Sequence, residues 1–242
     1  RHVQVTRLVP EVICLSSKTS NNGFVFPLWR KSSGDLLEEQ WTHSFAPSFL
    51  QKLSVSLGVT ADPNNLLPDS ITAEDIFQYL YAILHSSSYR TKYSQFLKSE
   101  FPKLPLPSCL NLFTALSQKG ASLISTQLND VASSNLIEAA PTIGLGNVQV
   151  EKVSYSEGNV WINKTRTAGF SGISEDVWNF HIGGYQVCKK WLQDRQAKGG
   201  KTMRLGRLLT DDDIEHYRRI VAAISETILI MTKIDNVIES HG

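Results

Sequence analysis

"VQVEKVSYSEGNVWINKT", residues 148–165, sets apolar side chains at Val148, Val150, Val153, Val160 and Ile162, on either side of Ser156-Glu157-Gly158-Asn159. Near-alternation of this kind is the period of a strand with one face buried. Two such runs joined by a short glycine-containing connection predict an antiparallel hairpin. No helix intervenes between them, whereas consecutive parallel strands need a long crossover.

Upstream, "VQVTRLV" (3–9), "VICLS" (12–16) and "GFVFPLW" (23–29) also read as strands, separated by the turn chemistry of "SKTSNNG" (17–23) and followed by the loop "KSSGD" (31–35). Helical spacing then takes over. Pro47 opens a short helix carrying Phe49, Leu50, Leu53 and Leu57, which Gly58 stops. After the breaker-rich "GVTADPNNLLPDS", Thr72 and Asp75 have the spacing of a capping box, ahead of a stripe at Ile76, Phe77, Leu80, Ile83 and Leu84. Tyr89, Tyr93, Phe96 and Leu97 continue it as far as Pro102, Pro105 and Pro107, and a long helix is expected over 110–128.

Downstream lies "WNFHIGGYQVCKKWLQDR" (178–195). Its adjacent glycines allow a strand to turn tightly into a helix that shows Cys188, Trp191 and Leu192 on one face. Trp178, Phe180, Tyr185 and Trp191 are expected to pack against the last helix; a platform for stacking unpaired bases is the alternative. His85 and His181 read as hydrogen-bonded core residues. The chain closes on a helix with Thr210 as N-cap, Asp211, Asp212 and Asp213 in its first turn, and a stripe from Ile214 through Tyr217, Val221, Ile224 and Ile228 to Met231. Strands in blocks and helices in blocks make the fold class α+β. The expectation is one domain over 1–242, with possible sub-lobes at 1–140 and 141–242.

The chain has 242 residues, 41% of them hydrophobic and 19% charged, with a net charge of +1. No apolar run is long enough to span a membrane. The start at Arg1, without methionine, suggests a piece of a longer polypeptide. Cys14, Cys109 and Cys188 lie far apart without ligand spacing, so reduced thiols in a cytoplasm are expected rather than disulfides or zinc.

Catalytic signatures are missing. The sequence has no phosphate-binding GxxxxGK[ST] loop, "GLGN" (144–147) lacks the third glycine of a dinucleotide turn, and "GFSG" (169–172) is not a nucleophile elbow. The Glu-x-Lys pair of metal-dependent nucleases is absent, as is the tetrapeptide with which amino-methyltransferases hold a flipped base. We therefore expect no catalysis by, and no cofactor bound to, these residues.

Charge, by contrast, is unevenly distributed. Arg195, Lys198, Lys201, Arg204 and Arg207 put five cations into thirteen residues with no acid among them. Base edges and phosphates are read by Arg, Lys, Asn and Gln on loops and helix ends. Three loops offer them: Lys18, Asn21 and Asn22; Asn163, Lys164 and Arg166; and Lys198, Lys201, Arg204 and Arg207. Gly199, Gly200 and Gly206 would permit close backbone approach in the third. Each loop could equally be a solvated surface, and Tyr89-Arg90 could meet a phosphate or simply serve the fold. The stripe from Ile214 to Ile234 leaves a helical protein–protein module as the other reading.

Four segments in order carry a family resemblance: "SSKTSNNGFVFPLW" (16–29), "EDIFQYLYAILHSSSYRTKYSQFLKSEFPKLPLP" (74–107), "VWNFHIGGYQVCKKWLQDR" (177–195) and "LLTDDDIEHYRRIVAAISETILIMTKID" (208–235). They are similar to the C-terminal target recognition domain of type ISP restriction–modification enzymes. The family's short connection after the Asp-Arg pair is extended here to "DRQAKGGKTMRLGRLL". The resemblance implies sequence-specific binding of double-stranded DNA. It further implies a neighbouring adenine methyltransferase in the same chain, and a parent enzyme that uses S-adenosylmethionine, ATP and Mg2+ for methylation, translocation and cleavage.

Overall fold

A computed structural model of the chain describes residues 3–7, 24–31, 41–128, 140–146, 148–182, 184–197 and 206–241. The elements in order are β1 (Trp29–Lys31), β2 (Trp41–His43), α1 (Pro47–Leu57), α2 (Ala73–His85), α3 (Ser87–Lys92), α4 (Phe96–Ser99), α5 (Leu110–Gln127), β3 (Thr142–Ile143), β4 (Ser154–Ser156), β5 (Asn159–Trp161), β6 (Gly169–Phe170), α6 (Glu175–Trp178), β7 (His181–Ile182), β8 (Tyr185–Gln186), α7 (Val187–Gln193) and α8 (Asp211–Ser240). All strand pairs between these elements are antiparallel, and the fold is α+β. No helix among the described residues is long and apolar enough to cross a membrane.

The described residues divide into two compact units. Among the described residues, one unit takes those within 3–128 together with 230–241, and the other takes those within 140–229. The long helix α8 contributes to both.

In the first unit the core gathers Leu50, Leu53 and Leu57 of α1, Ile76, Tyr79, Tyr81 and Ile83 of α2, Phe113, Leu116 and Leu123 of α5, and Ile230 and Ile234 of α8. Thr72 and Asp75 form the full capping box at the start of α2. Gly58, left-handed at φ 67°, ends α1 as a C-cap. Helices α2 and α5 cross closely at Gly120, where an added Cβ would stand 1.9 Å from the Gln78 carbonyl oxygen.

The proline-rich segment after α4 is an extended strap whose alternate carbonyls are captured by hydroxyls. Tyr89 donates to Lys103 at 3.0 Å, Tyr79 to Pro105 at 2.9 Å and Ser56 to Pro107 at 2.5 Å. Tyr89 therefore serves the fold. His85 is buried, with Nδ1 2.9 Å from the Tyr81 carbonyl, and burial lowers its pKa.

Several strand expectations fail in this unit. Val3–Arg7 is not a strand, and 12–16 lies outside the described residues. Among the described residues of "GFVFPLW", 24–29, only Trp29 enters a strand. Phe24 and Phe26 instead set their rings edge-on to Phe101, at 4.9 and 6.0 Å, so ring packing rather than backbone pairing accounts for the alternation. The second helical stripe is also broken between α3 and α4, and Tyr93 and Phe96 are exposed.

The second unit is built on the sheet β3-β6-β5-β4. Ser154 pairs with Trp161 and Ser156 with Asn159 across the predicted hairpin. Glu157 and Gly158 form its turn with φ of 50° and 75°, the two left-handed residues of a primed turn. The core combines Val150, Val160, Ile162, Phe170 and Ile173 with Trp178, Cys188, Leu192, Tyr217, Val221 and Ile224.

Of the aromatic segment Trp178 is buried, Phe180 and Trp191 are half-buried against the same core, and Tyr185 is half-buried outside it. Trp178 stacks on Tyr155 with ring centroids 5.3 Å apart, and Trp191 lies 5.4 Å from Tyr217. His181 departs from expectation: it is exposed, with Nδ1 against the Asn179 carbonyl. Gly184, left-handed at φ 83°, makes the turn from β7 to β8. The stripe of α8 is consumed within these cores, Tyr217, Val221 and Ile224 in one and Ile230 and Ile234 in the other.

Candidate nucleic-acid interface

Two of the three candidate loops meet at one short segment, Gln149–Lys152. Glu151 and Lys152 both donate their backbone N–H to the Ile162 carbonyl, at 2.8 and 3.1 Å, immediately before the loop that carries Lys164 and Arg166. The Glu151 carboxylate also accepts from the Lys164 backbone N–H at 3.4 Å. On its other side the segment holds the stem of the basic stretch. Val150 donates to the Arg207 carbonyl at 3.2 Å, Ala197 donates to the Val150 carbonyl at 3.0 Å, and Gln149 bridges Leu208.

Asn163 is buried, and its amide is hydrogen-bonded within the loop. The Nδ2 group donates to the Thr165 and Thr167 hydroxyls at 2.9 Å each, and Oδ1 accepts from the backbone N–H of Thr167 and Ala168 at 3.1 and 3.3 Å. Its role is to shape the turn that presents Lys164 and Arg166, both exposed. Arg166 has φ 56°, a left-handed conformation that costs a residue with a Cβ about 1–2 kcal/mol. Asn163 is what holds the turn around it.

The stem of the basic stretch is closed at backbone and side chain alike. Arg207 donates its N–H to the Arg195 carbonyl at 2.9 Å. Gly206 is buried where an added Cβ would stand 2.5 Å from the Val150 carbonyl oxygen, so its missing side chain serves this internal approach.

The two arginines share one acid. Arg195 Nε lies 3.3 Å from Asp213 Oδ1, and Arg207 Nη2 lies 2.9 Å from Asp213 Oδ2. The basic stretch contains no acid of its own, but α8 brings Asp213 back to its stem, where it pairs with Arg195 and Arg207. Asp213 also forms a capping box with Thr210, accepting from its N–H at 3.2 Å and hydroxyl at 3.1 Å. Burial alone would raise the Asp213 pKa, but the Thr210 hydrogen bonds, the Arg207 charge and the Arg195 hydrogen bond hold it below the usual carboxylate value. The Arg195 guanidinium lies 3.5 Å from the Trp191 ring centroid.

Sequence reasoning missed Asp213 and Arg195 as a unit. The available signal was the Thr-x-x-Asp spacing at 210–213, the same one that was legible at Thr72. Lys18, Asn21, Asn22, Lys198, Lys201 and Arg204 lie outside the described residues. Among the described residues no cluster of His, Cys, Asp or Glu is placed to hold a metal ion.

The family model of the Type ISP C-terminal specificity domain matches residues 1–233. The chain belongs to that family. Solved structures with a similar fold include the ATP-dependent Type ISP restriction-modification enzyme LlaBIII bound to DNA. It is 18% identical with a TM-score of 0.56, over 86% of this chain and 13% of that one. Another is the DrdV–DNA complex, 20% identical with a TM-score of 0.59, over 86% of this chain and 21% of that one. This specificity domain thus spans about an eighth and a fifth of those two chains. No curated protein matches it significantly. The four segments singled out in the sequence all begin within the matched range, and the extended stem at 195–207 is part of it.

Proposed function

We propose that this specificity domain reads double-stranded DNA for a restriction–modification enzyme, with Lys164, Arg166 and Arg207 among its contacts. The observation that carries the reading is the convergence of two cationic loops on Gln149–Lys152. Arg166 and Arg207 present guanidinium groups and Lys164 an ammonium, the groups that bind phosphate and the major-groove edge of guanine. Lys18, Asn21, Asn22, Lys198, Lys201 and Arg204 complete the candidate set. The DNA-bound state of the structural relatives named above supports the reading by analogy of fold.

The catalytic work would belong to other parts of a longer cytoplasmic polypeptide. An adjacent adenine methyltransferase would use S-adenosylmethionine, and translocation and cleavage would use ATP and Mg2+. The specificity domain would fix where the methyltransferase sits on the duplex.

Selection of binding sites from a randomised duplex library, followed by titration against salt, tests the reading. The expected result is an enriched sequence and an affinity that falls steeply as salt rises, by about 0.9 in log–log slope for each phosphate contacted. A chain that enriches no sequence and binds no duplex at low salt overturns it.

A further inference from the structure

We infer that Asp213 is a positioning residue for DNA binding, holding the Arg207 guanidinium in place for a backbone phosphate. The inference rests on the DNA-recognition reading above and concerns a residue of opposite sign to its ligand. An acid beside a phosphate contact would ordinarily weaken binding.

The geometry points the other way. Asp213 is fixed from three sides, by the Thr210 cap, by Arg195 and by its place in the first turn of α8. Its side chain is 8% exposed, Arg195 is 21% exposed and Arg207 is 51% exposed, so the triad grades from buried acid to half-exposed cation. One carboxylate between two guanidinium groups leaves a surplus of one positive charge. A guanidinium also carries more N–H donors than the single Asp213 oxygen that meets Arg207 can accept. A monoanionic phosphate diester matches that surplus charge and those donors.

Immobilising an arginine in advance removes rotamer entropy that binding would otherwise cost. The backbone adds to this. Arg207 is pinned through its own N–H to Arg195 and through its carbonyl to Val150, so both ends of the side chain are held. Arg195, stacked on Trp191 and largely covered, completes the hold on Asp213 without presenting itself to solvent as Arg207 does.

The test exploits the sign. Asp213→Asn adds one unit of positive charge, and the general field of the domain would then bind DNA more tightly. Positioning predicts weaker binding, by about tenfold, the scale of one charge-assisted hydrogen bond. The measurement is duplex affinity against salt for the parent chain, Asp213→Asn, Arg207→Gln and the double variant, alongside their thermal melts. Arg207→Gln is expected to flatten the salt slope by about 0.9. In that background, Asp213→Asn should lose its penalty and slightly tighten binding.

Tighter binding by D213N alone, or a penalty that survives in the R207Q background, overturns the role of Asp213. A parent chain that binds no duplex overturns the DNA-recognition reading as well. Should D213N fail to fold, R207K decides. Lysine keeps the charge but lacks the planar fork that can hold a carboxylate and a phosphate together. Its affinity should fall close to that of R207Q, and parent-like affinity would overturn the inference.

Discussion

Asp235 of α8 accepts a hydrogen bond from the Ser86 hydroxyl at 2.6 Å, across 149 residues of sequence. Ser86 ends α2 and begins α3, where its hydroxyl also accepts from the Tyr89 N–H at 3.0 Å. The Asp235 carboxylate collects the Ser87 and Ser88 N–H groups at 3.2 Å each and the Ser88 hydroxyl at 2.9 Å. It thus caps α3 from another helix, satisfying N–H donors that a helix start leaves open. Asp235→Ala should cost about 1–3 kcal/mol, the range for a lost cap made by a charged acceptor. Urea unfolding measures it, and a loss below about 0.5 kcal/mol would show the cap to be incidental.

The strap after α4 makes a second, independent demand. Tyr79 is buried, and its hydroxyl donates to the Pro105 carbonyl. Proline has no N–H, so the strap's carbonyls are its means of attachment at Pro105 and Pro107. Tyr79→Phe keeps the ring in the core and removes that donor. The expected loss is about 0.5–1.5 kcal/mol, the net contribution of one hydrogen bond. Tyr79→Phe matching the parent in urea would mean that water replaces the hydroxyl.

These two contacts mark the boundary of what the sequence discloses. The Thr72–Asp75 box, the Glu157-Gly158 turn, the stop at Gly58 and the stripe of α8 are local patterns, and local patterns were legible. Asp235 on Ser86, Asp213 on Arg207 and the hydroxyls on the strap join residues far apart in sequence or add a tertiary partner to a local motif. Periodicity carries no record of them. Phe24 and Phe26 show the converse error, since alternation reports which side chains share a face but not whether a neighbouring strand exists. Within the candidate site, the residue types of the 163–166 loop were legible and their division of labour was not. Asn163 had the composition of a base reader, yet burial commits it to shaping the turn.

Cys188 supplies a pH dependence. Its thiol is fully buried, and burial pushes its pKa from 9.0 to about 12. A group raised in the folded state favours its protonated form there. The associated stability is complete below pH 9 and is lost as pH rises towards 12. Between pH 9 and 10 the unfolded thiol ionises while the folded one does not, so stability should fall by about 1 kcal/mol over that interval from this group. Cys188→Ala should flatten the decline while lowering stability by a pH-independent amount. Unfolding curves at pH 8, 9 and 10 that fall in parallel for the two proteins would assign the alkaline loss elsewhere. Above that range Tyr79 and Tyr81, both raised by burial, are expected to add to the loss.

Arg166 allows charge and fold to be separated at the other candidate loop. Its backbone is left-handed, at φ 56°, and its side chain is exposed. Glycine adopts that conformation without the Cβ penalty, although it costs more backbone entropy on folding. Arg166→Gly should therefore leave stability unchanged or raise it by up to about 1 kcal/mol. DNA affinity should fall nonetheless, with the salt slope flatter by about 0.9 if the guanidinium meets a phosphate. Asn163→Ala is the counterpart, since it keeps both cations and removes the four hydrogen bonds that shape the loop. It should lose stability and lose affinity together. A variant at Arg166 that binds every duplex as the parent does, with the same slope, would remove this loop from the interface. Loss confined to one recognised sequence would instead make Arg166 a reader of guanine rather than a phosphate contact, because phosphate contacts weaken all sequences alike.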